Sequence, residues 1–273
     1  MKVLVTGARG QVGTELLTAF GDAAQATAAS FDVTDRDAVL QEVTTLRPDA
    51  VVHAAAFTDV DGCELDPDKA WAVNALGTRH VAEACRLVDA RVVYISTDYV
   101  FSGESDQPYT EWDEPNPLSV YGRSKLAGER ELSPDDTVVR TSWVFGRTGR
   151  NMVKTVLGRL GHPMRFVDDQ RGCPTSAEDL AGKVVELVRR PGVFHVTNQG
   201  AVSWFEFVRD VVAIAGGDPE TVSPIKTVEL DPPRPAPRPA NSVLANKALA
   251  LGGIDLLPHY REPLARLVAE LQQ

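Results

Sequence analysis

A doubly wound α/β fold, a parallel sheet between two layers of helices, is predicted by three features of this 273-residue chain. An apolar run, Met1-Lys-Val-Leu-Val-Thr6, leads directly into the glycine pattern Gly7-Ala-Arg-Gly10-Gln-Val-Gly13, and apolar residues at helical spacing follow at Val12, Leu16, Leu17 and Phe20. Apolar strands and helical segments then keep alternating as far as about residue 145. Two strands end in small or hydroxyl residues, Ala54-Ala55-Ala56 and Ser96-Thr97, at the carboxyl edge where open α/β sheets bind ligands.

The first unit, strand, glycine turn and helix, is the arrangement that holds a dinucleotide. Glycines let the chain turn tightly, let its backbone approach a pyrophosphate and let the helix pack on the strand, while the helix N-terminus faces the phosphates. The spacing is GxxGxxG. The second unit, from Ala23 to Ser30, is poor in large apolar residues, and Ala28-Ala29-Ser30 offers no acid for an adenosine ribose. With no carboxylate to repel a 2′-phosphate, the preference leans to NADPH, with NADH also possible; Arg9 in the glycine turn suits that phosphate, and Asp32-Val33 lie near the adenine.

Residues 35–46 read as a helix and Asp49 to Ala56 as a strand whose alanines let a flat cofactor lie against the backbone. Phe57 to Asp61 begin a loop at the crevice edge, and a helix is expected from Asp66 to Asp89 with Asn74 inside it. His53 and His80 lack a second metal ligand at useful spacing and read as structural. Arg91 to Thr97 and Thr137 to Thr141 are further strands. Between them, Val120-Tyr121-Gly-Arg-Ser-Lys125 puts Tyr121 and Lys125 four residues apart on one helix face. An ammonium there favours the phenolate, so the pair suits proton transfer to an oxygen that gains charge as hydride arrives at its carbon. Later, 151–161 and 176–190 look helical, 192–197 like a strand, and 203–215 opens with the capping-box pattern Ser203-Trp-Phe-Glu206. Asp231 to Ala240 is Pro-rich and reads as an extended surface loop, before a last helix from Glu262 to Leu271.

Composition narrows the function classes. With 28 Lys and Arg against 38 Asp and Glu, the net charge of −10 argues against a nucleic-acid partner, which is bound by neutralising phosphates. Cys63, Cys85 and Cys173 have no metal-ligand spacing and suit a reducing compartment. No apolar run reaches the ~18 residues of a membrane span and no leader pattern opens the chain, so no membrane partner and a cytoplasmic location are expected.

The order of these motifs resembles the extended short-chain dehydrogenase/reductases, and within them the dTDP-4-dehydrorhamnose reductases. The resemblance covers nearly the whole chain. It is carried by Gly10-Gln-Val-Gly13, Ile95-Ser-Thr-Asp-Tyr-Val-Phe101, Tyr121-Gly-Arg-Ser-Lys-Leu-Ala-Gly-Glu129, Arg140-Thr-Ser-Trp-Val-Phe145, Asp169-Gln-Arg-Gly-Cys-Pro-Thr175 and Arg238-Pro-x-x-Ser242. It implies a Rossmann-type domain over 1–145, joined by about 166–199, and a smaller discontinuous substrate-binding lobe from 146–165 and 200–273.

The resemblance also implies an oxidoreductase in which hydride passes from NADPH to the C4 ketone of a dTDP-sugar, dTDP-4-dehydro-L-rhamnose. Tyr121 is then the acid, Lys125 lowers its pKa and holds the nicotinamide ribose, and Thr97 holds the carbonyl. Gly7, Arg9, Gly10, Gln11, Val12, Gly13, Asp32, Val33, Ala54, Ala55, Ala56, Asn74 and Ser96 are the further cofactor-binding positions. On the substrate side, Trp143 packs on the sugar and Arg238 takes the diphosphate, with Thr58, Asp59, Val60, Asp98, Asn151, Lys154 and Thr175 lining the rest. Some members dimerise around Mg²⁺ held by glutamates at the positions of Glu15, Glu178 and Glu270, and others are monomers, so a monomer or a homodimer is expected. Rival readings are another NDP-sugar reductase or epimerase, and a non-catalytic regulatory subunit resembling that of methionine adenosyltransferase.

Overall fold

The computed structural model describes residues 1–21 and 24–273; residue 23, the start of the expected second unit, lies outside the described residues. The chain runs β1 (Val3–Thr6), α1 (Gln11–Phe20), β2 (Ala26–Ala28), α2 (Arg36–Leu46) and β3 (Ala50–His53). It continues through α3 (Val60–Leu65), α4 (Pro67–Trp71), a widened helical turn (Ala72–Leu76), α5 (Gly77–Arg86), β4 (Arg91–Thr97), α6 (Val120–Glu129) and β5 (Thr137–Thr141). Then come β6 (Val144–Phe145), α7 (Met152–Leu157), β7 (Met164–Val167), β8 (Arg171–Gly172), β9 (Thr175–Ser176), α8 (Ala177–Leu187) and β10 (Gly192–His195). The chain closes with β11 (Val202–Ser203), α9 (Trp204–Ile214), β12 (Val222–Ile225), α10 (Lys247–Leu251) and α11 (Arg261–Leu271).

Six strands form one parallel sheet in the order β10-β5-β4-β3-β1-β2. The chain moves outward from β1 to β2 and then crosses to the other side at β3. The switch point therefore lies between β1 and β3, and a crevice opens beyond their carboxyl ends. Strand alternation divides the core between the two faces. Val3, Val5, Val52 and Val93 pack with Leu16, Phe20, Leu180 and Leu187 under α1 and α8. Leu4, Val51, Val92 and Tyr94 pack with Val39, Val43, Val81 and Ala84 under α2 and α5. Each such buried Val or Leu contributes roughly 1.5–3 kcal/mol.

A second core joins Phe145, Val153, Val156 and Met164 to Phe207, Val211, Val222, Leu264 and Val268 from the C-terminal third. β7 and β12 pair in parallel within it, 55 or more residues apart in sequence. The chain then returns to the main sheet, where Leu249, Ile254 and Leu257 pack beside Leu180 and Val184. Among the described residues no helix is long and apolar enough to cross a membrane.

The helix expected from Asp66 to Asp89 is interrupted by the widened turn at Ala72–Leu76. The reason is Asn74, fully buried, whose amide accepts from the Phe57 N–H (2.8 Å) and donates to the Phe57 carbonyl (3.1 Å) and to Ser124 Oγ (3.0 Å). One side chain thus ties the β3–α3 loop to the helix carrying Tyr121.

Candidate active site

The glycine turn forms a backbone cradle. Gly7 has φ +65°, and a Cβ there would lie 2.6 Å from the Ala55 nitrogen; a Cβ on Gly13 would lie 2.2 Å from the Gly7 carbonyl oxygen. No larger residue fits either place, which leaves the N-terminus of α1 open to a ligand. Gly7, Arg9, Gly10, Asp32, Val33 and Ala54 to Ala56 line one cleft of about 780 Å³. Asp32 lies in the turn after β2, its carboxylate taken by the Thr34 N–H and hydroxyl. The cleft continues into a second of about 350 Å³, which shares Ala54 and Ala56 and adds Val12, Thr97, Tyr121, Lys125 and Trp143.

Two elements, β4 and α6, carry the candidate reacting groups. Helix α6 starts where the Ser119 side chain accepts from the Gly122 N–H and Glu64 accepts from the Val120 N–H (2.7 Å). Gly122 lets it approach β4, since a Cβ there would meet the Tyr99 carbonyl at 2.1 Å. Tyr121 is buried edge-on against Tyr99, and it lines the same cleft as Thr97. Lys125 Nζ donates to the Ile95 carbonyl (2.7 Å) and lies 4.0 Å above the Tyr94 ring. Burial pulls its pKa down to about 7. Burial also pushes the Tyr121 phenol above its ordinary value, so the lowering expected from Lys125 is not what this arrangement yields.

Asp98, next in the strand-end motif, is a brace. Its buried carboxylate accepts from the hydroxyls of Thr97 (3.1 Å), Ser142 (3.0 Å) and Ser242 (2.5 Å), and burial pushes its pKa up to about 6. The Ser96 hydroxyl turns away from the crevice to donate to Glu129 (2.5 Å), which forms a buried ion pair with Arg140 (2.7 Å). His53, fully buried at the end of β3, bonds Thr6 (2.7 Å) and Thr78 (3.1 Å), and the Thr6 hydroxyl in turn accepts from the Ala55 N–H. Burial, with Lys125 nearby, pulls the imidazole down to about 3.

The opposite wall comes from distant segments. Trp143 takes a left-handed backbone (φ +46°), unusual for a bulky residue, and stacks on Trp204 with ring centroids 3.7 Å apart. A Cβ on Gly172 would lie 2.5 Å from its indole. Thr58 and Val60 line the same cleft, while Asp59 caps α3 by accepting from the Gly62 N–H. Arg238 forms a two-pronged ion pair with Asp61 (2.5 and 2.7 Å), which also holds Arg234 and the Ala236 N–H. Asp61, singled out by no sequence motif, is what orients Arg238.

Asn151, Lys154, Thr175 and Arg238 are not among the residues that line the cleft. Asn151 bonds Gln11 and the Gly146 carbonyl (both 2.8 Å), so with Gln11, which also donates to the Val144 carbonyl, it ties α1 to the second core. Lys154 donates to the Arg147 carbonyl, and the buried Thr175 hydroxyl donates to the Cys173 carbonyl (3.1 Å). The Asn74 and Ser96 side chains are likewise spent inside the protein.

Glu15, Glu178 and Glu270 do converge, but around Arg147. Its guanidinium donates to both Glu15 oxygens (3.3 and 3.1 Å), lies 3.7 Å from Glu270 and feels the Glu178 charge. Among the described residues no three acids, histidines or cysteines group as metal ligands. The expected Mg²⁺ does not fit this arrangement, because an internal cation stands where it would sit.

Known proteins resemble this chain over its whole length. The family model described as RmlD substrate binding domain matches residues 1–273. The dTDP-4-dehydrorhamnose reductase of Mycobacterium tuberculosis (strain ATCC 25618 / H37Rv) is 41% identical over 286 residues, covering 98% of this chain and 92% of that protein. Two solved structures are similar throughout. A dTDP-4-dehydrorhamnose reductase from Clostridium acetobutylicum superposes with a TM-score of 0.95 at 40% identity, covering 100% of both chains. One from Bacillus anthracis in complex with NADP gives 0.93 at 37% identity, covering 99% of this chain and 100% of that one. The chain belongs to the RmlD substrate binding domain family.

Proposed function

We propose that this protein uses NADPH to reduce the C4 ketone of dTDP-4-dehydro-L-rhamnose to dTDP-L-rhamnose. The observation that carries the reading is that Thr97, Tyr121 and Lys125 share one cleft that runs on into the glycine cradle. The reduced dinucleotide supplies the hydride to the ketone carbon. Thr97 holds the ketone oxygen, and as negative charge grows there the Tyr121 O–H gives it a proton. A phenol kept protonated by burial is ready for this direction of reaction. Lys125, braced by the Ile95 carbonyl, would hold the nicotinamide ribose through its amine. Trp143 offers its face to the sugar, and Arg238, whose fork is held by Asp61, would have to share or exchange that carboxylate to take the diphosphate. In this reading residues 1–145 and 166–199 bind the dinucleotide, and 146–165 with 200–273 supply mainly the sugar side.

The test is NADPH consumption by the purified protein given dTDP-4-dehydro-L-rhamnose, with UDP- and GDP-keto sugars alongside. Turnover to dTDP-L-rhamnose is expected. Protein that binds NADPH yet turns over none of these sugars would overturn the reading.

A further inference from the structure

The adenosine end of the crevice holds an acid that the order of the sequence conceals. Dinucleotide sites of this type keep an acid at the end of the second strand, where it meets the ribose 2′-hydroxyl and repels a 2′-phosphate. Here β2 ends at Ala28, Ala29 still donates to the Val5 carbonyl (2.8 Å), and Ser30 takes the acid's place. Ser30 lines the 780 Å³ cleft and also a groove on its far side, between β2 and α2. From that groove Glu42, on α2, reaches back. The Ser30 N–H donates to both its oxygens (3.1 and 3.3 Å), and the Ser30 hydroxyl donates to Oε2.

Two effects follow, both of one sign. The Ser30 N–H and hydroxyl are donors at the edge of the cleft, and both are spent on a carboxylate. That carboxylate also puts a negative charge behind Ser30, at the end of the cleft where the phosphate of NADPH would lie. Arg9, exposed in the same cleft, pulls the other way and has no hydrogen-bonded partner for its guanidinium among the described residues.

We propose that Glu42, acting through Ser30, sets the dinucleotide preference of this protein by holding back its selectivity for NADPH so that NADH is also accepted. Glu42 is a positioning residue, since it touches Ser30 from outside the cleft. The inference rests on reading the crevice as a dinucleotide site.

The test compares binding of NADPH and NADH, followed by nicotinamide fluorescence, in the parent protein, Glu42→Gln and Glu42→Ala, with initial rates alongside. Glu42→Ala should raise the NADPH-to-NADH affinity ratio roughly tenfold, the scale of one charge-assisted hydrogen bond released to a phosphate. Glu42→Gln, uncharged yet still able to accept from Ser30, should raise it less. A merely structural role would move both affinities together and leave the ratio still. An unchanged ratio in both variants, with NADH still bound, overturns the role of Glu42. If the parent binds neither dinucleotide, the crevice reading falls and this inference with it.

Discussion

The two walls of the catalytic cleft are built differently. The sheet wall consists of groups close in sequence and fully tied down: Thr97 on β4, then Tyr121 and Lys125 on α6, braced by Asp98, His53 and the Glu129–Arg140 pair. The opposite wall is Trp143, with Thr58 and Val60, and behind it stand Gly172 and Trp204, while the Asp61–Arg238 pair, 177 residues apart, lies outside the residues that line the cleft. The proposed chemistry lies on the wall built from two neighbouring elements, and the proposed recognition on the wall whose parts meet only after the chain has folded.

This contrast can be broken one wall at a time. Tyr121→Phe should lower kcat by about 10²–10⁴-fold, the usual worth of a positioned general acid, while NADPH binding, read by fluorescence, stays near the parent value. Full activity in that variant would remove Tyr121 from the chemistry. Glu129→Ala leaves the guanidinium of Arg140 buried without its carboxylate, and chemical denaturation should register a loss of about 3–5 kcal/mol. A loss within 1 kcal/mol of zero would mean that the pair is not buried in solution.

Acid should act on the sheet wall as well. The folded pKa of His53, about 3, lies below its ordinary value, so between pH 6.5 and 3 the unfolded chain binds the extra proton and the folded one does not. Stability should therefore fall as pH drops through that window, by about 1.4 kcal/mol per pH unit for this group. His53→Gln should flatten the slope measured by denaturation at a series of pH values; an unaltered slope would assign it to other groups. Gly172→Ala tests the far wall. Its methyl must displace the Trp143 indole, at a cost of about 1–3 kcal/mol in packing. The KM for the dTDP-sugar should rise several-fold while kcat with saturating sugar changes little, and an equal fall in kcat would show that the two walls are coupled.

Local pattern placed the first wall. The Gly7–Gly13 turn, the alanine strand end and the Tyr121/Lys125 pair follow from short-range spacing, and the structure puts them along one crevice. The family resemblance placed Asn151, Lys154 and Thr175 at the substrate, yet their side chains are spent on Gln11, Arg147 and Cys173. It also set three glutamates around a metal, among which Arg147 stands. A motif fixes which residues are present and roughly where the backbone goes. It does not fix which polar partner reaches each side chain first, because that partner can come from anywhere in the chain.

By itself, then, the sequence determined the parallel sheet, the glycine turn and the placing of Tyr121 beside Lys125, since hydrophobic period, glycine spacing and an i,i+4 relation act within one or two elements. The tertiary structure alone decided that Asp61 holds Arg238, that Gly172 makes room for Trp143, and that Glu42 returns an acid to a strand end where Ala28-Ala29-Ser30 has none. Those contacts join residues between 12 and 177 positions apart, and charge and volume at such separations are matched only when the elements pack.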